Sequence, residues 1–211
     1  MDKLIYMDNA ATTSTAPEVV SAMLPFFTEY YGNPSSVYNF AQKSKMAIED
    51  AREIIADSIG AAKSNEIYFT GGGSESDNWA LKSAAFGLRN KGNHIITTKI
   101  EHHAILNTCA YLEKNGFEIT YLDVDSEGFV SLEDVENAIT EKTILISVMF
   151  ANNEIGTIEP VCEIGEIAHK HGILFHTDAV QAMCHVPINV TEMNIDLLSA
   201  SAHKFHGPKG V

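Results

Sequence analysis

The 211 residues are 45% hydrophobic and 20% charged, with 14 Gly and 6 Pro, a globular balance that excludes collagen-like, low-complexity and disordered classes. Asp and Glu number 28 against 14 Lys and Arg, a formal net charge of −14, and such a surface repels phosphate backbones and anionic membranes, so no nucleic-acid and no membrane partner is expected. Cys109, Cys162 and Cys184 are odd in number and form no C-x-x-C pair, which argues against a disulfide framework or a structural zinc site.

In chain order, the first strong pattern is helical. Val37 to Ser58 places Phe40, Ala41, Ala47, Ile48, Ala51, Ile54 and Ile55 at helical spacing, and Gly60 supplies a stop. A strand is expected over Glu66–Thr70, then a glycine turn, Gly71 to Gly73, opening a helix that runs through Leu88. Further strands are expected over His94–Thr98, Phe117–Leu122, Thr143–Met149, Ile173–Thr177 and Ile195–Ser199. Ser131–Asp134 resembles a capping box before a short helix, and Pro160 to Lys170 reads as another helix, ending before Gly172. Strand–helix alternation implies an α/β fold, a mostly parallel sheet with helices on both faces. In that architecture ligands sit outside the carboxyl ends of the strands, so the residues just after each strand matter most.

Three of those positions carry chemistry. Gly71 to Gly73 followed by Ser74 puts backbone N–H groups at a helix N-terminus, a phosphate cradle, though a flexible turn capped by Ser74 reads equally well. It lacks the lysine of a P-loop and the G-x-G-x-x-G fingerprint. Asp178 closes a buried strand, where a carboxylate either meets a cation or caps the next helix. Lys204 follows an apolar strand among small residues and aromatics; a desolvated lysine loses proton affinity and becomes nucleophilic toward carbonyls, whereas the ordinary alternative is a surface turn lysine. Together, a reactive lysine, an upstream aspartate and a glycine-rich phosphate loop are what pyridoxal 5′-phosphate requires of a protein.

The residues that carry a wider resemblance are Asp8–Thr13 (DNAATT), Tyr31–Ser36 (YGNPSS), Thr70–Asn78 (TGGGSESDN), Glu101–His103 (EHH), Asn152–Gly156 (NNEIG), His176–Gln181 (HTDAVQ) and Ser201–Gly210 (SAHKFHGPKG). On these the chain resembles cysteine desulfurases of the NifS/IscS type, fold-type-I, class V aminotransferase-like enzymes, from residue 8 to residue 210. The resemblance implies a pyridoxal-phosphate enzyme that takes sulfur from L-cysteine, giving L-alanine and an enzyme-bound persulfide that serves iron–sulfur cluster assembly and thiolation. It implies that Lys204 is the Schiff-base lysine, that Asp178 pairs with the pyridinium, and that His102 stacks on the ring. Gly73 and Ser74 match the phosphate loop, Ser201 and His203 match further phosphate contacts, and Asn153 and Gln181 match residues bonding near the ring hydroxyl and holding the ring in plane. A homodimer and a sulfur-acceptor or scaffold protein are the partners it implies, with no metal.

The family's polypeptides continue past the lysine motif, whereas this sequence ends at Val211. The expectation is therefore an N-terminal segment over 1–15 and a cofactor-binding large domain over 16–211, incomplete at its C-terminus and without the small domain. The loop bearing the sulfur-accepting cysteine, the arginine that binds the substrate carboxylate and a threonine lent by the partner subunit fall outside it. Cys109, Cys162 and Cys184 read as small hydrophobes or incidental thiols. Alternatives are a non-catalytic fragment that binds cofactor or a partner, a selenocysteine lyase, or another class V aminotransferase. The opening residues show no apolar signal region and no run approaches a membrane span, which leads to an expectation of a cytoplasmic protein.

Overall fold

A computed structural model describes residues 5–211. Five strands form one sheet: β1 (His94–Thr98), β2 (Glu118–Leu122), β3 (Thr143–Ser147), β4 (Leu174–Asp178) and β5 (Leu197–Ser199). Their order is β2-β1-β3-β4-β5 and every pair is parallel. Six α-helices accompany them: α1 (Pro17–Thr28), α2 (Asn39–Ile59), α3 (Gly73–Gly87), α4 (His103–Lys114), α5 (Leu132–Asn137) and α6 (Val161–Lys170).

The alternation of side chains along the strands sorts these helices onto two faces. Ile95 and Leu145 pack with Leu81 and Ala85 of α3 and Ile105 and Leu112 of α4. Their neighbours Ile96 and Ile146, with Phe175, pack on the opposite face with Val135 of α5 and Val161, Ile164 and Ala168 of α6. A sheet covered on both faces needs apolar side chains of both parities, which is why β1 and β3 are buried along their whole length. Helix ends follow local chemistry. Gly60 closes α2 in the left-handed region at φ 68°, and the Ser131 hydroxyl accepts from the Asp134 N–H to open α5.

One expected strand is absent. Glu66 closes a 3-10 turn at Ser64–Glu66, Ile67 after it is extended, and residues 67–70 pair with no strand among the described residues. Their backbone groups find other partners: the Ile67 N–H donates to Ser64 O, and the Arg52 guanidinium of α2 donates to Ile67 O. Arg52 also lies over the Phe69 ring, 5.0 Å from its centroid. β-propensity makes a segment extended, but only a neighbouring strand makes it part of a ladder.

The sheet order places the site. From β1 the chain moves outward to β2, then crosses back over β1 to β3, so the order reverses between β1 and β3. Loops leaving the carboxyl ends on either side of that reversal part to form a crevice. Residues 10–16 bind across this end. Thr13 N–H and hydroxyl both donate to His203 O, the His206 N–H donates to the Thr13 hydroxyl, and Ala16 N–H donates to His206 O.

Candidate active site

Six segments converge on a cavity of about 570 Å³ at the carboxyl end of the sheet, one of them the N-terminal stretch with Asp8, Ala10 and Ala11. α3 brings Gly73 and Ser74, the turn after β1 brings His102, the segment after β3 brings Asn153, β4 ends at Asp178 and leads to Gln181, and the turn after β5 brings Ser201, His203 and Lys204. All nine residues singled out in the sequence line this one cavity.

Lys204 sits on a 3-10 turn, Ala202–Lys204, immediately past β5. Its ammonium donates to the carbonyl of Ala10 and, at 3.1 Å, to that of Ala11. Burial lowers its pKa below the ordinary lysine value, while Asp178 and Asp8 act to raise it. The amine is thus drawn toward the neutral, nucleophilic form by desolvation and restrained by two carboxylates. Asp178 is buried, and its Oδ1 accepts from the Val180 N–H at 2.9 Å. Burial raises its pKa, opposed by that bond and by His102 and Lys204. The Asp178 carboxyl organises a turn rather than a helix, because residues 180–185 form turns only.

His102 is the N-cap of α4, its Nδ1 accepting from the Ala104 N–H at 3.1 Å. That bond leaves Nε2 as the protonated nitrogen of the neutral ring. His203 Nδ1 is 3.0 Å from the Thr12 hydroxyl, and Gln181 donates to Ala10 O at 2.9 Å. Gly72, at φ 136°, is the N-cap of α3, so Ser74 lies inside the helix and does not cap it. A Cβ on Gly73 would stand 2.8 Å from Val180 Cγ2 and 3.4 Å from Ser201 Cβ, so glycine keeps the helix N-terminus open where it lines the cavity.

These residues fit pyridoxal phosphate. The cavity has the volume of a small-cofactor site, a partly desolvated amine and a buried carboxyl line it, and the open glycine terminus supplies an anion cradle. The sequence pattern did not single out two buried acids. Asp77 lines the cavity from α3, and Glu101 stands beside His102 with its Oε1 accepting from the Thr98 hydroxyl and the Met149 N–H. The signal for Asp77 was its spacing with Leu81, Ala84 and Ala85, which puts a carboxyl on the buried stripe of α3. Of the cysteines, Cys109 is buried and Cys162 and Cys184 are exposed, and none lines the cavity.

A parallel sheet with helices on both faces, gathering a lysine, an aspartate and a glycine-initiated helix at its carboxyl end, is the large-domain architecture of the fold-type-I transferases. The chain belongs to the aminotransferase class-V family, whose model matches residues 5–211. It is 66% identical over all 211 residues to a cysteine desulfurase IscS of Clostridium botulinum (strain Kyoto / Type A2), and 63% identical over 209 residues to that of Methanosarcina thermophila. It covers 53% and 52% of those proteins, so it spans about half the length of the curated relatives it matches. Among solved structures, "SspA in complex with cysteine" superposes with a TM-score of 0.95 at 47% identity, over 98% of this chain and 59% of that one. A NifS-like protein gives 0.95 at 43% identity, over 99% and 57%. No helix among the described residues is long and apolar enough to cross a membrane.

Proposed function

We propose that the chain forms the cofactor-binding part of a pyridoxal-phosphate-dependent cysteine desulfurase, which removes sulfur from L-cysteine for delivery to an acceptor or scaffold protein. The observation that carries this reading is the meeting of Lys204, Asp178 and the Gly73–Ser74 helix terminus in one cavity, in a chain 66% identical to a cysteine desulfurase. The solved complex of a 47% identical protein with cysteine supports L-cysteine as the substrate. A homodimer and a cytoplasmic location belong to the same proposal.

When bound, pyridoxal phosphate supplies an electron sink that stabilises negative charge at the substrate α-carbon. Lys204 would hold the cofactor through Nζ, and its partly desolvated amine would be the base nearest the substrate. Asp178 would face the pyridine nitrogen and keep that nitrogen's proton in place. His102, which lines the cavity with Nδ1 engaged by the Ala104 N–H, would pack against the ring. Gly73, Ser74, Ser201 and His203 would hold the phosphate, and Asn153 and Gln181 would orient the ring.

The test is to add pyridoxal phosphate to the chain, reduce with borohydride and map the adduct by mass spectrometry. A single label on Lys204, abolished in Lys204→Ala, is expected. Labels scattered over surface lysines, or none, would overturn the assignment.

A further inference from the structure

Asp77 has no evident packing reason to be a carboxyl. It is 1% exposed on α3, on the same buried stripe as Leu81, Ala84 and Ala85, where an apolar residue would avoid the cost of burying a polar group. Its Oδ1 makes no hydrogen bond. The nearest basic atom is His176 Nε2 of β4, 3.8 Å away, but His176 is already engaged: Nδ1 meets the Ser147 hydroxyl at 2.9 Å and Nε2 the Ser199 hydroxyl at 3.1 Å. Full burial lowers the His176 pKa to about 3, so the ring is neutral and offers Asp77 no counter-charge.

On its other side Asp77 approaches the cofactor residues. One oxygen of Asp77, one oxygen of Asp178 and one nitrogen of His102 all lie within 4.8 Å of one another. Two carboxyls that close in a buried site do not both ionise, and the pair holds a proton. The surroundings decide which member keeps it. Asp178 has the Val180 N–H, the Lys204 ammonium and the neighbouring His102 ring favouring its ionised form. Asp77 has only the Ser199 hydroxyl doing so, against burial and the Asp178 charge. Glu101, from the turn after β1, adds negative charge near both if it ionises, and its own burial opposes that.

We propose that Asp77 is a positioning residue for the cofactor: it holds the proton of the buried Asp77–Asp178 pair, so that Asp178 alone presents negative charge to the ring nitrogen. This rests on the pyridoxal-phosphate reading of the cavity. Ser147, His176 and Ser199 form the hydrogen-bonded floor beneath the pair, and Ser199 is the side chain through which Asp77 is tuned.

The test compares the wild-type chain with Asp77→Asn and Ser199→Ala, using pyridoxal phosphate as the probe. Asn mimics the protonated carboxyl at every pH, so it separates the proton from the packing. In the wild type, the absorbance of bound cofactor should change with a midpoint well above the ordinary carboxylate range, the direction in which burial and the Asp178 charge push Asp77. Asp77→Asn should abolish that transition while keeping cofactor affinity at pH 7 within about threefold, as a neutral isostere of an already neutral group. Ser199→Ala should move the midpoint to higher pH, a shift that a purely structural Asp77 would not give. In parallel, urea unfolding without cofactor should show the wild type losing stability between pH 6.5 and 8.5, and Asp77→Asn losing at least about tenfold less in its unfolding constant. If Asp77→Asn keeps both the absorbance transition and the stability slope, the proposal is overturned. If Asp77→Asn does not fold, the direction of the Ser199→Ala shift decides. A wild type that takes up no cofactor overturns the reading of the cavity, and the unfolding series, which needs none, then supports or overturns the shared proton by itself.

Discussion

Glu101 shows how much a single buried acid can organise at this site. It is 5% exposed, and its Oε1 accepts from the Thr98 hydroxyl at 2.8 Å and from the Met149 N–H at 2.9 Å. It therefore ties the end of β1 to the segment after β3, the two segments that carry His102 and Asn153. Complete burial raises its pKa well above the ordinary carboxyl value, and the two hydrogen bonds only partly oppose this. A neutral Glu101 is mimicked by glutamine, whose carbonyl accepts the same two bonds. Glu101→Gln should cost under about 1 kcal/mol, whereas Glu101→Ala, which leaves a buried N–H without an acceptor, should cost about 2–3 kcal/mol. Urea denaturation at pH 7 measures both, and equal losses would mean that the ionised form is the one being held. At this scale the sequence was informative about reactive groups and blind to burial. Lys204 and Asp178 were legible because each follows an apolar strand, where a polar residue stands out. Asp77 and Glu101 sit inside motifs whose letters do not say which carboxyls face water. Only the stripe of α3 and the ends of β1 and β3, once placed, show that these two do not.

Elements were legible where a pattern and its terminator agree. α2 ends at Gly60 because a left-handed residue stops a helix, β1 carries the β-branched run Ile95-Ile96-Thr97-Thr98, and β3 the apolar run Ile144-Leu145-Ile146. Glu66–Thr70 was not legible, because the run carries strand propensity but a ladder depends on a neighbour that no local pattern reports. Close approaches between elements are equally silent in sequence. Gly165, in α6, packs so tightly that an added Cβ would fall within the contact distance of Met193 O, a backbone atom with no rotamer to yield. Gly87, at the end of α3, has nothing within 4 Å of such a Cβ. The same chemical change should thus act with opposite sign at the two sites. Gly87→Ala should stabilise by about 0.5–1 kcal/mol through helix propensity and a less flexible unfolded chain. Gly165→Ala should destabilise by about 1–3 kcal/mol, because overpacking pushes α6 off its neighbour. Thermal or urea unfolding of the two variants checks both signs, and a stabilised Gly165→Ala would show that the segment at Met193 can give way.

For the whole molecule, the buried acids and imidazoles set how stability depends on pH in the cofactor-free chain. Asp77 is raised to about 8, and Glu101, Asp178 and Glu159 are raised as well, chiefly by burial. Over the interval between its unfolded and folded pKa values, each keeps a proton in the fold that the unfolded chain has lost. Their contribution is therefore fully present below about pH 4 and drains away as pH rises, for Asp77 up to about 8. His94, His176 and His203 are lowered, again chiefly by burial, so the unfolded chain binds their protons first and they favour the fold as pH rises toward 6.5. Asp125 and Glu136, lowered by their hydrogen bonds at the surface, act in the same direction but only below the ordinary carboxyl range. From pH 4 to 6.5 the two sets oppose each other and the curve is shallow. Above 6.5 the histidines are neutral in both states, and nothing lowered opposes the acids until the lysine range, where Lys204 is the lowered group. Stability should then fall most steeply between pH 6.5 and 8, at up to about 1.4 kcal/mol per pH unit for each acid still titrating. Equilibrium urea unfolding at half-unit intervals from pH 4.5 to 8.5, at fixed ionic strength, measures the curve. A flat or rising limb above 6.5 would mean that the buried carboxyls ionise within the fold. The floor of the cavity would then be charged, and the proton assigned to Asp77 would have to lie elsewhere.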